Sequence, residues 1–357
     1  MTQSLKIIIP TAGLATRMRP QTWSKPKSLV SVAGRPALDH LLDMFGSVPA
    51  LTSAVRGTSP RQGAKSVEYV LILGPGLGQT QIPPFMQEHH PELITHFVVQ
   101  PIMRGQSDAL RMARKYLSGP VIICFSDTLI ETDFSFLAVE KADAVAWVKP
   151  FPDPRRFGVA EVDAAGRVTR LVEKPQSLDN KLVVVGCYFF KQAGKLLSAI
   201  EEQFKRNISR KGEYFLTDTI NIMIEHGLKM RTQLVDVWLD TGTIEATLET
   251  NRYLLEHGKT SQIINQKQHT VKVVPPVFIH PSARISNSVI GPYASIGADC
   301  VITDARVEDS ILEAGVTIEA AALKGSFIGR QASVVGRSAA DAPLKLNIGD
   351  ASIVSLR

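Results

Sequence analysis

Long apolar runs are missing from this sequence. The longest, Leu182 to Phe190, has nine residues and contains a glycine, whereas a membrane helix needs about 20. No membrane span is expected. Cysteine is scarce: Cys124, Cys187 and Cys300 lie far apart and form no CxxC, which argues against a zinc site or a disulfide framework. The eight histidines show no HxH or HxxxH spacing, so no transition-metal site is expected. One Lys and a three-isoleucine run stopped by Pro10 are too little for a secretory signal. These absences point to a reduced, soluble, cytoplasmic protein.

Acidic residues are absent before Asp39, while Lys6, Arg17, Arg19, Lys25, Lys27 and Arg35 supply six positive charges in the same stretch. Such a block attracts phosphates, nucleic acid or only water. Within it only Trp23 offers a stacking ring, so nucleic acid is not expected as a partner. The dinucleotide fingerprint GxGxxG and the P-loop GxxxxGK[ST] are both missing. What is present is enough for a core: 357 residues, 44% hydrophobic and 21% charged, with net charge +6. About two domains are expected from this length.

Residues 5–260 read as alternating strands and helices. Leu5–Ile9, Val67–Leu73, Ile94–Val99 and Val121–Cys124 are short apolar runs bounded by turn residues, as buried parallel strands should be. Over 105–117, Ala109, Met112, Ala113, Tyr116 and Leu117 recur at helical spacing. The alternation predicts an α/β, doubly wound Rossmann-like domain whose ligand crevice lies beyond the strands' carboxyl ends. The polar stretch 50–66 reads as an exposed loop. After about 270 an aliphatic residue recurs every five or six positions, from Ile279, Ile285 and Ile290 to Ile328 and Val334. Three steps make a coil of 16–17 residues, as Ile279, Ile296, Leu312 and Ile328 show. This is the hexapeptide pattern of a parallel β-helix, expected to be short, left-handed and about three and a half coils long. The expected domains are 1–262, a linker at 263–275, and a β-helix at 276–357.

Thr11-Ala12-Gly13 follows the first strand, leads into Arg17, and is followed by Ser24-Lys25-Pro26-Lys27. A Gly-containing loop at a strand's carboxyl end can turn backbone N–H groups towards phosphate, or can be an ordinary basic turn. The stretch 10–27 resembles the signature of sugar-1-phosphate nucleotidylyltransferases. Further motifs of that family follow in order: Gln100-Pro101 with Arg104-Gly105, Ser126-Asp127, Phe157-Gly158, Glu173-Lys174-Pro175, Val184-Val185-Gly186, Lys211-Gly212-Glu213 and Asp240-Thr241-Gly242. With its β-helix the chain is most similar to the long form of the glucose-1-phosphate thymidylyltransferase group.

The resemblance implies a Mg²⁺-dependent enzyme joining a nucleoside triphosphate to a sugar 1-phosphate with release of pyrophosphate. Arg17 would grip the pyrophosphate and Lys27 the reacting phosphates. Ala12 and Gly13, with Gln100 and Gly105, would bind the nucleotide. Asp127 and Asp240 would share the Mg²⁺, an ion that prefers one or two carboxylates plus substrate oxygens. Gly158, Glu173, Lys174, Val184 and Lys211 would hold the sugar phosphate. Blander readings stand beside these: Asp127 and Asp240 as helix caps, Glu173–Lys174 as an exposed pair, and Gln100 as a solvated amide. A GTP- or UTP-using relative and a non-catalytic nucleotide-sugar-binding homologue are the alternatives. Two departures stand out. Ala15 replaces the second loop glycine, and Lys211 stands where thymidylyltransferases place Arg. The β-helix carries no catalytic motif and is expected to mediate homo-oligomerisation or regulation.

Overall fold

A computed structural model describes residues 4–48, 67–261, 270–340 and 342–356. The expected loop at 50–66 lies outside the described residues, as does the 263–269 part of the expected linker. The chain divides into two compact units, 1–14 with 41–238, and 15–40 with 239–357. That division falls elsewhere than a boundary near 262. Residues of the signature segment and of the helix Ile244–Glu256 share a core with the β-helix, so compactness groups them with it.

Among the described residues the main sheet of the first unit has nine strands: β1 (Lys6–Pro10), β2 (Glu68–Leu73), β3 (Ile94–Val99), β4 (Val121–Cys124), β5 (Ala144–Pro150), β6 (Gly158–Val162), β7 (Val168–Glu173), β8 (Leu182–Phe190) and β9 (Met230–Leu234). Their main order is β7-β6-β8-β4-β1-β2-β3, with β5 joining β8 to β9. β3, β2, β1 and β4 run parallel, the arrangement expected for the doubly wound half. β8 turns antiparallel against β4, β5 and β6, so the sheet is mixed. β1, β2 and β4 are buried because both faces are covered, as parallel strands require. β3 is only half-buried, because it is the end of the strand order. The helical pattern at 105–117 becomes the helix Gln106–Met112 and a 3₁₀ turn, Arg114–Tyr116, with Ala109, Leu110, Ala113 and Leu117 packed into the main core.

In the second unit the aliphatic ladder is realised residue for residue. Ile279 pairs with Ile296, then Leu312, Ile328 and Ile348; Ile285 pairs with Ile302, Ile318, Val334 and Val354. Val273, Ile290, Val307 and Leu323 form the third face. Strands stack five deep on two faces and four deep on the third, the architecture of a left-handed parallel β-helix. This is more than the expected three and a half coils. Val273 adds a rung before Ile279, and the chain returns after a long excursion to lay Ile348 and Val354 on the last coil.

From Ala15 onward the signature segment belongs to this unit, and Met18 and Gln21 lie in its interior. Met18, Val30, Ile244, Leu248, Ile311 and Phe327 form one buried cluster. Gln21 is fully buried, and its Nε2 faces the carbonyls of Phe327 (3.1 Å) and Ile348 (2.8 Å) and Asn347 Oδ1 (3.0 Å). Asn251 is also fully buried: Oδ1 accepts from Ala33 N–H and the Ser295 hydroxyl, and Nδ2 donates to the Tyr293 carbonyl.

Candidate active site

In the first unit, the turns after four parallel strands carry Ala12 and Gly13, Gly74, Gln100 and Asp127. Thr11 binds the Ile72 carbonyl through both its N–H and its hydroxyl. Gly74 sits so close that a Cβ there would lie 3.6 Å from Ala12 Cα and 3.8 Å from Gly13 N. Gly13 is exposed and Ala12 half-exposed, which leaves this backbone open to a ligand.

Gln100 is buried, so the solvated-amide reading fails. Its N–H bonds to the Leu73 carbonyl, and Nε2 donates to the Gly105 carbonyl (3.2 Å) and to Asp108 Oδ2 (3.0 Å). Both partners are acceptors, which fixes the amide's orientation. What the side chain retains for a ligand is its carbonyl oxygen. Arg104 closes the group with a 3.0 Å pair to the buried Asp108. Gly105 needs to be glycine: its φ is +99°, and a Cβ would meet the Tyr214 carbonyl oxygen at 2.5 Å.

Asp127 is half-buried between Phe125, whose N–H bonds to the Gly186 carbonyl, and Thr128, whose hydroxyl donates to the Val185 carbonyl. The strand Thr128–Ile130 follows it. No helix is there for Asp127 to cap. The turn is held against β8, where the register shifts between Val184 and Tyr188 and Gly186 takes a φ of +87°.

Gly158 and Glu173 are cross-strand partners on β6 and β7, and Val183 pairs with Val159, placing Val184 beside them. A Cβ on Gly158 would meet Thr217 Cγ2 at 3.1 Å and Glu173 Oε2 at 3.4 Å. Thr217 donates to the Glu173 carboxylate at 3.3 Å. Burial pushes the Glu173 carboxyl above its usual range, against the pull of Lys174, Thr217 and Arg210. Lys174 itself is exposed, with φ +46° and its ammonium 5.0 Å from the Phe215 ring centroid. Glu173–Lys174 is therefore an exposed pair in one half only. Lys211 is exposed in a left-handed turn, φ +51°. The adjacent Arg210 instead reaches the Glu173 carbonyl (3.0 Å) and Asp218 (3.2 Å). Arg210, Thr217 and Asp108 were missed by sequence reading, although Arg210 abuts the Lys211 motif.

Arg17, Lys27 and Asp240 lie in the second unit. Arg17 is exposed on a 3₁₀ turn that starts after Ala15, and Lys27 opens another, Lys27–Leu29. Ala15 has φ +44° and ψ +40°, the left-handed conformation that glycine would accept freely. Asp240 Oδ1 accepts the Gly242 N–H at 2.7 Å. Thr243, not Asp240, caps the following helix by accepting from Ala246 N–H. The cap reading is thereby excluded for both aspartates. Each presents carboxylate oxygen, the donor Mg²⁺ prefers. Among the described residues no group of three or more His, Cys, Asp or Glu is placed to hold a metal, so any such ion would need substrate oxygens to complete its shell.

The Nucleotidyl transferase family model matches residues 6–257. The chain belongs to that family. Two proteins named glucose-1-phosphate thymidylyltransferase are similar over almost the whole length. One, from Streptomyces griseus, is 26% identical over 98% of this chain and 98% of its own; the other, from Streptomyces antibioticus, is 29% identical over 99% and 100%. The bifunctional protein GlmU of Methanocaldococcus jannaschii is 29% identical over 77% of this chain, spanning 60% of that relative. Among solved structures, a Bacillus anthracis protein provisionally assigned as a glucose-1-phosphate thymidylyltransferase superposes with a TM-score of 0.58 at 19% identity. It covers 73% of this chain and 98% of its own, and shares the fold. Among the described residues no helix is long and apolar enough to cross a membrane.

Proposed function

We propose that this protein transfers a nucleotidyl group to a sugar 1-phosphate, with dTTP and glucose 1-phosphate as the preferred pair. The carrying observation is the similarity to two thymidylyltransferases that runs through the β-helix as well as the α/β unit. In the reaction a phosphate oxygen of the sugar 1-phosphate attacks the α-phosphorus in line. The bond from that phosphorus to the bridging oxygen breaks, and pyrophosphate leaves. Two polyanions must meet, so catalysis is mainly positioning and charge neutralisation. Ala12 and Gly13 present backbone N–H to the triphosphate, Arg17 binds the departing pyrophosphate, and Lys27 the reacting phosphates. Gln100 offers its carbonyl oxygen to a base N–H, such as the imide of thymine, while Gly105 lets the backbone approach. Glu173, with the backbone at Gly158 and Val184, orients sugar hydroxyls. Lys174 and Lys211 hold the sugar phosphate, the latter as a point charge and not a fork. Asp127 and Asp240 are the carboxylates that would hold Mg²⁺, which when bound neutralises phosphate charge.

The three cysteines are buried free thiols, which suits a reducing compartment such as the cytoplasm. We further propose a homo-oligomer, with β-helix faces as contact surfaces. Pyrophosphate release is the deciding assay, run with dTTP, UTP, GTP and ATP against several sugar 1-phosphates. The highest kcat/KM is expected with dTTP, then UTP. Preference for GTP overturns the base assignment but leaves the reaction class. Nucleotide-sugar binding without turnover overturns the transferase reading.

A further inference from the structure

Gly297, Glu313, Gly329 and Gly349 occupy one corner of successive β-helix coils, each directly after a rung of the Ile296–Leu312–Ile328–Ile348 ladder. At Gly297 and Gly329 a Cβ would press on backbone of the next coil at 2.8 and 2.4 Å. Glycine is the corner's steric rule, and Glu313 breaks it.

The reason lies in what Glu313 touches. Its Oε2 is 2.7 Å from Lys25 Nζ, and the two side chains are only 6% and 3% exposed. Its Oε1 accepts the Ser31 N–H at 3.1 Å. Asp350, beside Gly349, adds a second carboxylate at the same corner. Oδ1 is 3.8 Å from Lys25 Nζ, and Oδ2 accepts the Ser24 hydroxyl at 2.6 Å. Arg330 donates to both of its oxygens, at 2.8 and 2.9 Å. Burial opposes ionisation of Asp350, yet Ser24, Lys25 and Arg330 hold its carboxyl below the usual range. Buried ion pairs of this kind seldom add stability over apolar packing, and their best-attested use is to fix register. The register here is that of a short lever. Pro26, with its constrained φ of −61°, alone separates Lys25 from Lys27.

We propose that Glu313 and Asp350 are positioning residues for the transferase reaction, acting through Lys25 to place Lys27 for the triphosphate. The β-helix then serves phosphate binding as well as any subunit contact. This rests on the proposed reading of Lys27 as a phosphate ligand.

The test compares the full-length wild type with Glu313→Gln, Lys25→Arg, Lys25→Met and the Lys25→Met/Glu313→Met double variant. It measures kcat, KM for dTTP and for glucose 1-phosphate, Tm, and amide exchange over residues 15–31. A misplaced phosphate ligand should cut kcat/KM for dTTP in Glu313→Gln by about tenfold or more, leaving KM for the sugar phosphate within about twofold. Exchange at the Ser31 amide should quicken, and Lys25→Arg should keep far more activity than Lys25→Met. If Glu313→Gln fails to fold, the double variant decides, because removing both charges is tolerated where removing one is not. A folded double variant with kcat/KM for dTTP within about twofold of wild type would overturn the proposal, since the loss expected from misplacement is far larger. A wild type that releases no pyrophosphate from any triphosphate overturns the transferase reading itself, a separate result.

Discussion

Two buried glutamines show how differently the two units hold their loops. Gln100, in the α/β unit, spends both amide hydrogens on residues five and eight positions away, Gly105 and Asp108. Gln21, in the β-helix unit, spends its hydrogens on carbonyls 306 and 327 positions away, although its own Oε1 finds no donor among the described residues. In the first loop the glutamine side chain bonds locally, although the backbone around it also ties to Leu73 and Tyr214. The second exists only when distant coils are in place. The Gln100 side chain is therefore held by near neighbours, whereas the Gln21 side chain ties its turn to the β-helix.

The largest effect expected on either side of this contrast comes from its aspartates. Asp127→Asn in one unit and Asp240→Asn in the other should each lower kcat by ~10²–10³, as removal of an electrostatic stabiliser does. If both act through one ion, as proposed, the double variant should be little worse than either single. Turnover within about tenfold of wild type at saturating Mg²⁺, well short of that loss, would assign the carboxylates to structure alone.

The glutamines themselves come next. Gln21→Ala removes the donor to the buried Phe327 carbonyl, while the Ile348 carbonyl keeps the Gly329 N–H, and should cost about 1–3 kcal/mol of stability, read by denaturant unfolding with the β-helix signal moving first. Gln100→Ala leaves Asp108 with Arg104, and should act mainly on KM for the triphosphate. Equal stability losses in both variants would erase the proposed difference.

What could be read in advance follows the same division. β1, β2, β3 and β4 and the aliphatic ladder were legible because each depends on local periodicity: apolar runs ending in turn residues, or one inward side chain per face. The ladder even gave the register from Ile279 to Ile328. The Asp127 turn and the Gly105 bend were legible as motifs of adjacent residues. Glu313 was not, although the column Gly297, Glu313, Gly329, Gly349 is visible once coils are aligned. Its partner is Lys25, at the far end of the chain. Separations of the same kind hid the core that Met18 and Leu248 share with Ile311 and Phe327. Lys211 was singled out by its motif, but the guanidinium that reaches the Glu173 carbonyl comes from Arg210, because the left-handed turn at 211 carries the Lys outward.

Glu173 offers a smaller effect that depends on pH. Burial raises its folded-state pKa above the unfolded value. The associated stability is thus fully present below the unfolded pKa and is lost as pH rises through the folded one. Glu173→Gln should therefore melt higher than wild type near pH 8, with the gap closing towards pH 4. The same change should raise KM for the sugar phosphate, a stability gained at the expense of function. A Tm difference that stays constant across this range would show that Glu173 titrates alike folded and unfolded.

The smallest effect is expected at Ala15, where the two kinds of loop control meet in one residue. Its left-handed backbone, φ +44°, costs a residue with a Cβ roughly 1–2 kcal/mol. Ala15→Gly removes that strain. It also removes a methyl packed against the Met18, Val30 and Phe327 cluster, worth about 0.8 kcal/mol if fully buried, and adds the unfolded-state freedom of glycine, roughly 0.4–1 kcal/mol. The terms nearly cancel, so stability should change by less than about 1 kcal/mol in either direction. Exchange of the amides just after Ala15 should still quicken, because the methyl contact that ties this bend to the coils is gone. A loss of stability well beyond about 1 kcal/mol would mean that the methyl contact outweighs backbone strain, and that the β-helix holds the signature segment here as firmly as it does at Gln21.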